Sequence, residues 1–206
     1  MTAEVEISFD ENGLVPCVVQ DFATGEVLTL AYMNEEALRL TRERGEMHFW
    51  SRSRQELWHK GETSGNTQAV RQLRFDCDAD ALVALVDPAG PACHTDERSC
   101  FHRDITDATA PAPATHEATA ALERTLAARA SERPEGSYTV ELLDDPARIG
   151  AKVREEADEV ARAAESESDE RVAEEAADVI YHLQVLLRSR DVPLSAVLET
   201  LNARRR

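Results

Sequence analysis

The chain changes character at residues 105–120, and this change constrains its fold more than any other feature of the sequence. The segment ITDATAPAPATHEATA is rich in Ala, Thr and Pro and has no apolar periodicity, which is typical of a linker. Short β-branched runs precede it, and segments with helical periodicity follow it. The sequence therefore predicts a β-rich (α+β) N-terminal domain over residues 1–106, a linker over 107–118 and an all-α C-terminal domain over 119–206.

The N-terminal part contains a series of candidate strands. LVPCVVQ and EVLTLAYM flank the turn ATGE, which predicts a hairpin, and Asn34 then caps a short helix that Gly45 ends. Further strands are expected in MHFWSRS, RQELWH, TQAVRQLRFDCDAD and ALVALVDP. The following segment, PAGPACHTDERSCFHR, has the prolines and glycine of a loop.

The C-terminal part contains helix start and stop residues. ATAALERTLAARASER predicts one amphipathic helix. Asp145 and Pro146 form an N-cap and a first helical residue for the helix that runs through KVREEADEV. Either Ser168 or Asp169 starts the next helix, and Pro193 separates it from a short last one.

The net formal charge of −17 over 206 residues limits the partners of the chain. Duplex nucleic acid requires a basic stripe, and none is present in the sequence. No apolar segment reaches the length of a membrane span, and the start MTAEVEISFDENG lacks the pattern of a signal peptide. We therefore expect a cytoplasmic protein, and in such a protein cysteines favour metal binding or catalysis over disulfides; the chain has four, Cys17, Cys77, Cys93 and Cys100.

The segment DCDADA alternates carboxylates with a thiol. Asp76, Asp78 and Asp80 stand at alternate positions, and Cys77 has the opposite parity. If the preceding strand continues here, the three carboxylates point to one face and the thiol to the other. Carboxylate oxygens suit Mg²⁺ and a thiolate suits Zn²⁺, so one element could organise two metals. The alternative is an aspartate-rich turn with a buried thiol.

Three cysteines, at spacings of 16 and then 7 positions, are candidate zinc ligands: Cys77, Cys93 and Cys100. Three ligands leave the fourth zinc position open for water, which then becomes a hydroxide nucleophile that suits an electron-poor heteroaromatic carbon. Cys17 could close the site, but its apolar strand favours a buried core thiol. His94 and His59 are candidates for proton transfer, and the alternative for each is a solvent-facing or hydrogen-bonded residue.

A second group of polar residues lies in WSRSR and HKGETSGN. Glycine lets the backbone approach an oxyanion closely, and arginine binds phosphate through a fork of donors. We expect a phosphate cradle with these side chains: Arg52, Ser53, Arg54, Lys60, Thr63 and Ser64. The alternative is a basic edge strand followed by a polar hairpin loop.

Two acidic pairs stand on separate predicted helices. Glu156 and Glu159 are three residues apart, as are Glu175 and Asp178, so each pair shares one helical face. If the helices pack antiparallel, the four carboxylates converge on a site that suits Mg²⁺ and substrate phosphates. Two neighbouring acids are alternative ligands: Glu155 and Glu174. A solvated acidic face is the competing interpretation.

The N-terminal motifs resemble phosphoribosyl-AMP cyclohydrolase, an enzyme of histidine biosynthesis. The resemblance lies in GLVPCVVQD, LTLAYMNEEAL, WSRSR, LWHKGETSGN, DCDADAL, GPACHT and SCF, and it covers nearly all of residues 10–103. It implies a β-rich homodimer that opens the adenine ring of phosphoribosyl-AMP between N1 and C6. Ala79 and Asp96 stand where this family usually has Gly.

The same resemblance implies two metal sites. Zinc would lie on Cys93 and Cys100, with Cys77 supplied across the dimer. Magnesium would lie on the three acids of the DCDADA segment, namely Asp76, Asp78 and Asp80.

The C-terminal helices resemble phosphoribosyl-ATP pyrophosphohydrolase, a member of the all-α, MazG-like nucleotide pyrophosphohydrolases. The resemblance lies in ALERTLAARASERPEGSYTVELL, KVREEADEV and EAADVIYHLQVLL and covers about residues 120–206. It implies a dimer in which Lys152 contacts phosphate, and Arg154 stands where Gly is usual. It also implies Mg²⁺ on four acids, of which the first is the candidate base: Glu156, Glu159, Glu175 and Asp178.

Together the resemblances imply two consecutive reactions on small nucleotides in a homodimer. The C-terminal domain would cleave phosphoribosyl-ATP to phosphoribosyl-AMP and pyrophosphate with Mg²⁺, and the N-terminal domain would open the product's purine ring with Zn²⁺-activated water. Two other hypotheses stay open. One is a deaminase fused to a nucleotide pyrophosphatase, although the H-x-E and P-C-x-x-C signature is absent. The other is a non-catalytic zinc scaffold with a helical dimerisation module.

Overall fold

The computed structural model describes residues 5–106 and 109–205, which form two compact units. The first unit ends at Ala112 and the second begins at Pro113. Two residues of the predicted linker, 107 and 108, lie outside the described residues. The described strands all belong to the first unit, and the second unit is helical, which confirms the predicted fold class.

The first unit is built on a four-stranded sheet of order β2-β1-β6-β5. In chain order its elements are β1 (Val15–Asp21), β2 (Val27–Met33), α1 (Glu35–Arg44), β3 (His48–Ser51), β4 (Glu56–His59), β5 (Gln68–Phe75) and β6 (Leu82–Pro88). β1 pairs antiparallel with β2, as the predicted hairpin requires, and parallel with β6. β5 pairs antiparallel with β6, and β3 and β4 form a separate two-stranded sheet.

The core of this unit follows the alternation of side chains along β1. Val15, Cys17 and Val19 are fully buried and pack against residues of the other elements, including Leu28 and Phe49. Cys17 is therefore a core thiol, as its apolar neighbours predicted. Burial raises its pKa to about 12, so the thiol stays protonated and is a poor metal ligand.

The second unit consists of a short 3₁₀ turn at Thr115–Glu117 and helices α2 (Ala118–Glu132), α3 (Tyr138–Leu143), α4 (Pro146–Ser166), α5 (Asp169–Ser189) and α6 (Leu194–Ala203). Its core is formed by Leu126, Leu142, Ile149 and Val185. The Ser168 hydroxyl accepts a hydrogen bond from the Arg171 N–H, so Ser168 is the N-cap of α5. Among the described residues, no helix is both long and apolar enough to cross a membrane.

The DCDADA segment does not continue the preceding strand. β5 ends at Phe75, and the Asp76 carboxylate accepts hydrogen bonds from the backbone N–H groups of Asp80 (3.1 Å) and Ala81 (3.2 Å). An aspartate that bonds nearby backbone competes with strand pairing and favours a turn. The expected strand parity is therefore wrong. The segment is an aspartate-rich turn between β5 and β6, in which Cys77 is exposed and not buried.

Both positions where glycine is usual in the cyclohydrolase family have left-handed backbone. The φ angle is 61° at Ala79, in the acidic turn, and 61° at Asp96. Only glycine adopts this conformation without a steric cost, and alanine tolerates it less well than aspartate. Ala79 is therefore a position of backbone strain in the turn that carries Cys77.

We expect Ala79→Gly to raise the free energy of unfolding of the first unit by about 1 kcal/mol, because it relieves this steric cost. Urea denaturation followed by tryptophan fluorescence measures this unit, since both tryptophans, Trp50 and Trp58, lie in it. The matched control is Ala69→Gly, at an exposed position of extended backbone in β5, which should lower stability by about 0.5–1 kcal/mol. A loss of stability with both substitutions would contradict the strain at Ala79.

Candidate functional site

Three carboxylates meet in the turn between β5 and β6. One oxygen from each of Asp76, Asp78 and Asp80 lies within 4.8 Å of the others, and all three residues are exposed. The negative charge of Asp78 raises the pKa of Asp80. Clustered carboxylate oxygens open to water form a donor set that suits Mg²⁺, which keeps several of its waters. The turn therefore brings together the three acids singled out in the sequence, although by a geometry different from the one expected.

Two of the three candidate zinc ligands line one cavity. Cys93 and Cys100 lie on the loop that follows β6, on a cavity of about 360 Å³ that Lys60, Thr63 and Ser64 also line. The Thr95 hydroxyl lies 3.1 Å from the Cys93 sulphur, and this hydrogen bond lowers the pKa of Cys93. Desolvation of the sulphur raises the pKa of Cys100, although the residue as a whole stays exposed.

Cys77 is separate from the other two thiols within one chain. It lies exposed in the acidic turn and is not among the residues that line the cavity of Cys93 and Cys100. Over residues 5–106 and 109–205, the three sulphurs do not form a cluster with metal-binding spacing. One chain therefore presents two thiols in a cavity and a third thiol elsewhere on the surface of the same unit.

The two candidate histidines have different surroundings. His94 lines the thiol cavity, and its Nδ1 lies 3.9 Å from the Cys93 sulphur. The His59 ring instead stacks on His48, with centroids 4.5 Å apart, and its Nε2 lies 2.8 Å from the Glu46 carboxylate. Because side chains alternate along β4, Trp58 faces the cavity while His59 faces away, and Lys60, the first residue after the strand, also lines the cavity. The structure thus brings His94 and not His59 to the thiols.

The predicted phosphate cradle is divided between two adjoining cavities. Arg52, Ser53 and Arg54 line a second cavity of about 680 Å³, which shares His94 and Trp58 with the thiol cavity. The aromatic side chains of Tyr32 and Trp50 also line it, and the Arg52 guanidinium lies 3.8 Å from the centre of the Tyr32 ring. The two cavities together are thus lined by basic and aromatic side chains beside two thiols.

Lys60 and Gly61 have constrained positions at the thiol cavity. Lys60 is buried, and this burial lowers its pKa. Gly61 has a φ of +87°, and a Cβ there would lie 2.4 Å from the Thr67 backbone nitrogen. Glycine is therefore required at 61 for the loop that carries Thr63 and Ser64 to fold back over the cavity.

The second cluster of donors lies between α4 and α5. One carboxylate oxygen from each of Glu156, Glu175 and Asp178 lies within 4.8 Å of the others, and both glutamates are buried. Lys152 lies 2.6 Å from Glu156, and this hydrogen bond raises the pKa of the lysine. Burial raises the pKa of Glu175, Arg171 opposes this shift, and the charge of Glu159 adds to it. Such a cluster of carboxylates fits Mg²⁺.

The remaining acids stand around this cluster. Glu159 influences the pKa of Glu175 but does not belong to the group of three, and it pairs with Arg162 at 3.0 Å. Glu155 is exposed and lies 3.1 Å from Lys152, and Glu174 is exposed and pairs with Arg171. Both alternative ligands thus form ion pairs with a basic side chain of their own helix.

His182 is a member of this site that the sequence interpretation missed. The buried ring lies with Nδ1 2.9 Å from the Asp178 carbonyl oxygen and 3.7 Å from the Glu156 carboxylate. Its Nε2 lies 3.3 Å from the Tyr138 hydroxyl of α3. The four-residue spacing from Asp178 to His182 places both on one face of α5, and this spacing could have identified the histidine.

Each unit matches the model of a known protein family. Residues 29–102 match Phosphoribosyl-AMP cyclohydrolase, and residues 119–205 match Phosphoribosyl-ATP pyrophosphohydrolase. The histidine biosynthesis bifunctional protein HisIE of Bacillus subtilis (strain 168) is 52% identical over 200 residues, which is 97% of this chain and 95% of the relative. The protein of the same name from Halalkalibacterium halodurans is 48% identical over 203 residues, 98% of this chain and 96% of the relative. Similarity to these relatives therefore extends through both units.

The raised pKa of Glu175 predicts a pH-dependent effect in metal-free protein. A pKa that is higher in the folded than in the unfolded chain means that folded stability falls as the pH rises through the folded value. We expect Glu175→Gln to raise the thermal midpoint of the second unit in chelator at about pH 8. This gain should shrink as the pH falls towards 4.5, the ordinary value for this side chain.

Circular dichroism of the helices measures this midpoint, and Glu165→Gln, at an exposed position of α4, is the matched control. Added Mg²⁺ should stabilise the unmodified protein and not the Glu175→Gln variant. A lower midpoint for Glu175→Gln at pH 8 without metal would contradict this expectation. It would show that the ion pair with Arg171 stabilises the folded protein more than the burial of Glu175 and its repulsion by neighbouring acids destabilise it.

Proposed function

The chain belongs to the family of bifunctional histidine-biosynthesis enzymes that join a phosphoribosyl-AMP cyclohydrolase domain to a phosphoribosyl-ATP pyrophosphohydrolase domain, and we propose how its two donor clusters divide these activities. The carboxylates between α4 and α5 would carry the pyrophosphohydrolase reaction on Mg²⁺. The thiols and the neighbouring cavities would carry ring opening on Zn²⁺. The observation that carries the proposal is that a cavity with two thiols lies in the first unit and a cluster of buried carboxylates lies in the second.

In the second unit, the donor set assigned to Mg²⁺ is Glu156, Glu159, Glu175 and Asp178. Bound Mg²⁺ would neutralise substrate phosphate charge and lower the pKa of a water. Glu156 is the proposed base for this attacking water, because it is buried beside the other two acids of the cluster. Lys152, 2.6 Å from Glu156, would exchange part of this ion pair for a phosphate oxygen when the substrate enters. The bond broken joins the phosphate that stays on phosphoribosyl-AMP to the first of the two phosphates that leave as pyrophosphate.

In the first unit, Cys93, Cys100 and the partner subunit's Cys77 would hold Zn²⁺. Zinc bound there would lower the pKa of a water that attacks C6 of the purine. His94 borders the thiol cavity, so it is the proposed residue for proton transfer as the N1–C6 bond breaks. His59 is not proposed for this step, since its ring is directed at Glu46.

The substrate of the first unit would occupy the two adjoining cavities. Arg52, Ser53 and Arg54 are proposed to bind one of its phosphates, and the aromatic side chains of that cavity would contact its rings. Lys60, Thr63 and Ser64 are proposed to bind polar groups nearer the thiols. The Mg²⁺ assigned to Asp76, Asp78 and Asp80 would lie beside Cys77 in the acidic turn.

A homodimer is part of this proposal, because a second copy of the chain would supply the missing thiol. Exposed Cys77, at the tip of a turn, is suited to reach into a neighbouring subunit. The thiols of the described residues are all free, which suits a reducing compartment such as the cytoplasm.

We expect Glu156→Gln to lower pyrophosphate release from phosphoribosyl-ATP by about 10²-fold or more, because it removes the proposed base and a metal ligand. Ring opening of supplied phosphoribosyl-AMP should be retained, since that reaction is assigned to the other unit. Both products are measured on the same preparation, with Glu165→Gln as the surface control. If the two activities fell together while circular dichroism stayed unchanged, the division into two sites would be wrong.

Mixing of subunits tests the shared zinc site. Cys77→Ser and Cys93→Ser should each abolish ring opening, because each removes one thiol from both zinc sites of a dimer. Unfolding the two variants together and reassembling them should restore roughly a quarter of the activity, since half of the dimers are mixed and each of these has one intact site.

The control is the same procedure with Cys77→Ser and Cys77→Ala, which leaves every site without that thiol. Recovered ring opening in the first mixture and none in the second is the expected result. No recovery in the first mixture, with dimers verified by light scattering, would mean that the three thiols belong to one chain.

A further inference from the structure

The loop that carries Cys93 and Cys100, residues 89–103, has little regular structure of its own. Backbone hydrogen bonds from Cys93 to Glu97 (3.0 Å) and from Ala92 to Arg98 (3.1 Å) close a tight turn around Cys93. The Cys100 N–H instead donates to the Leu28 carbonyl of β2 at 2.8 Å. The two thiols are thus anchored separately, one to a turn within the loop and the other to the sheet.

Arg98 connects these two anchors. Its guanidinium donates to the Asp21 carboxylate at 2.5 Å and also bonds the Glu26 carboxylate, at the two ends of the turn between β1 and β2. Its carbonyl oxygen accepts the hydrogen bond from Ala92, next to Cys93. The neighbouring Ser99 hydroxyl donates to the Val27 carbonyl at 2.7 Å. Arg98 therefore ties the turn of Cys93 to the hairpin that also holds Cys100.

The acceptor side of this contact is rigid. Asp21 is buried, and its other oxygen accepts hydrogen bonds from the backbone N–H groups of Ala23 (2.8 Å) and Thr24 (3.0 Å). Arginine presents donors in a planar fork that can engage two carboxylates at fixed angles, whereas lysine presents one compact charge. The geometry therefore requires an arginine, and a positive charge alone does not reproduce it.

We propose that Arg98 is a positioning residue, which sets the distance between the sulphurs of Cys93 and Cys100 by docking their loop on the β1–β2 turn. This inference rests on the proposed function, in which those sulphurs bind zinc. Partners that orient metal ligands contribute to metal affinity without touching the metal.

Zinc affinity of the full-length protein tests this role. The dissociation constant is measured by competition with a chromophoric chelator on metal-stripped protein, with Zn²⁺ as the probe. We expect Arg98→Lys to weaken zinc binding by about 10–100-fold, because lysine keeps the charge but cannot hold both carboxylates. Arg71→Lys is the matched control, since Arg71 forms an exposed ion pair with Asp87 (2.9 Å) and should leave zinc affinity unchanged.

Further measurements separate positioning from general destabilisation. Pyrophosphate release should be unchanged in Arg98→Lys, and ring opening should be recovered by excess Zn²⁺. Zinc affinity within twofold of the unmodified protein would overturn the positioning role, even if the thermal midpoint falls. A second variant, Arg98→Met, removes the bonds to both carboxylates and should weaken zinc binding at least as much as Arg98→Lys. If Arg98→Met fails to fold, Arg98→Lys alone decides the outcome. Absence of zinc binding by the unmodified dimer would instead overturn the proposed zinc site, and this inference with it.

Discussion

Groups that bind a metal cation repel one another before the metal arrives, and the fold must hold them together against this repulsion. In the second unit, Lys152 and Arg171 contact acids of the cluster formed by Glu156, Glu175 and Asp178. In the first unit, backbone N–H groups of the acidic turn bond the Asp76 carboxylate. Each donor cluster therefore depends on positive charge or hydrogen-bond donors built into its own element.

The two units hold their metal-binding groups together with different kinds of structure. Helices α4 and α5 are long and pack closely, so acids that are distant in sequence meet on facing surfaces. The three candidate zinc ligands of the first unit, Cys77, Cys93 and Cys100, instead lie on a turn and a loop outside the strands. There the position of Cys93 and Cys100 depends on bonds to the β1–β2 hairpin, and under our proposal the site is completed by a second copy of the chain.

Features encoded within a few residues were predicted correctly. Asn34 caps α1, Gly45 ends it, and Asp145 caps α4, because each of these roles depends on hydrogen bonds to backbone three or four residues away. Helix α3 was missed, since its six residues are too few to show a helical period. The strand assigned to DCDADA was wrong, because the Asp76 side chain bonds the backbone of the turn in place of a neighbouring strand.

By itself, the sequence determined the two-domain order, the chemical types of the donors and the family of each half, because these depend on residue identity and spacing along the chain. Only the tertiary structure decided which donors share a site. It placed Trp58 beside the thiols and turned His59 away, since neighbouring residues of β4 face opposite sides. It also brought His182 to Glu156 and Arg98 to Asp21, across 26 and 77 residues. Contacts of this range follow from helix packing and loop docking, which local sequence patterns do not encode.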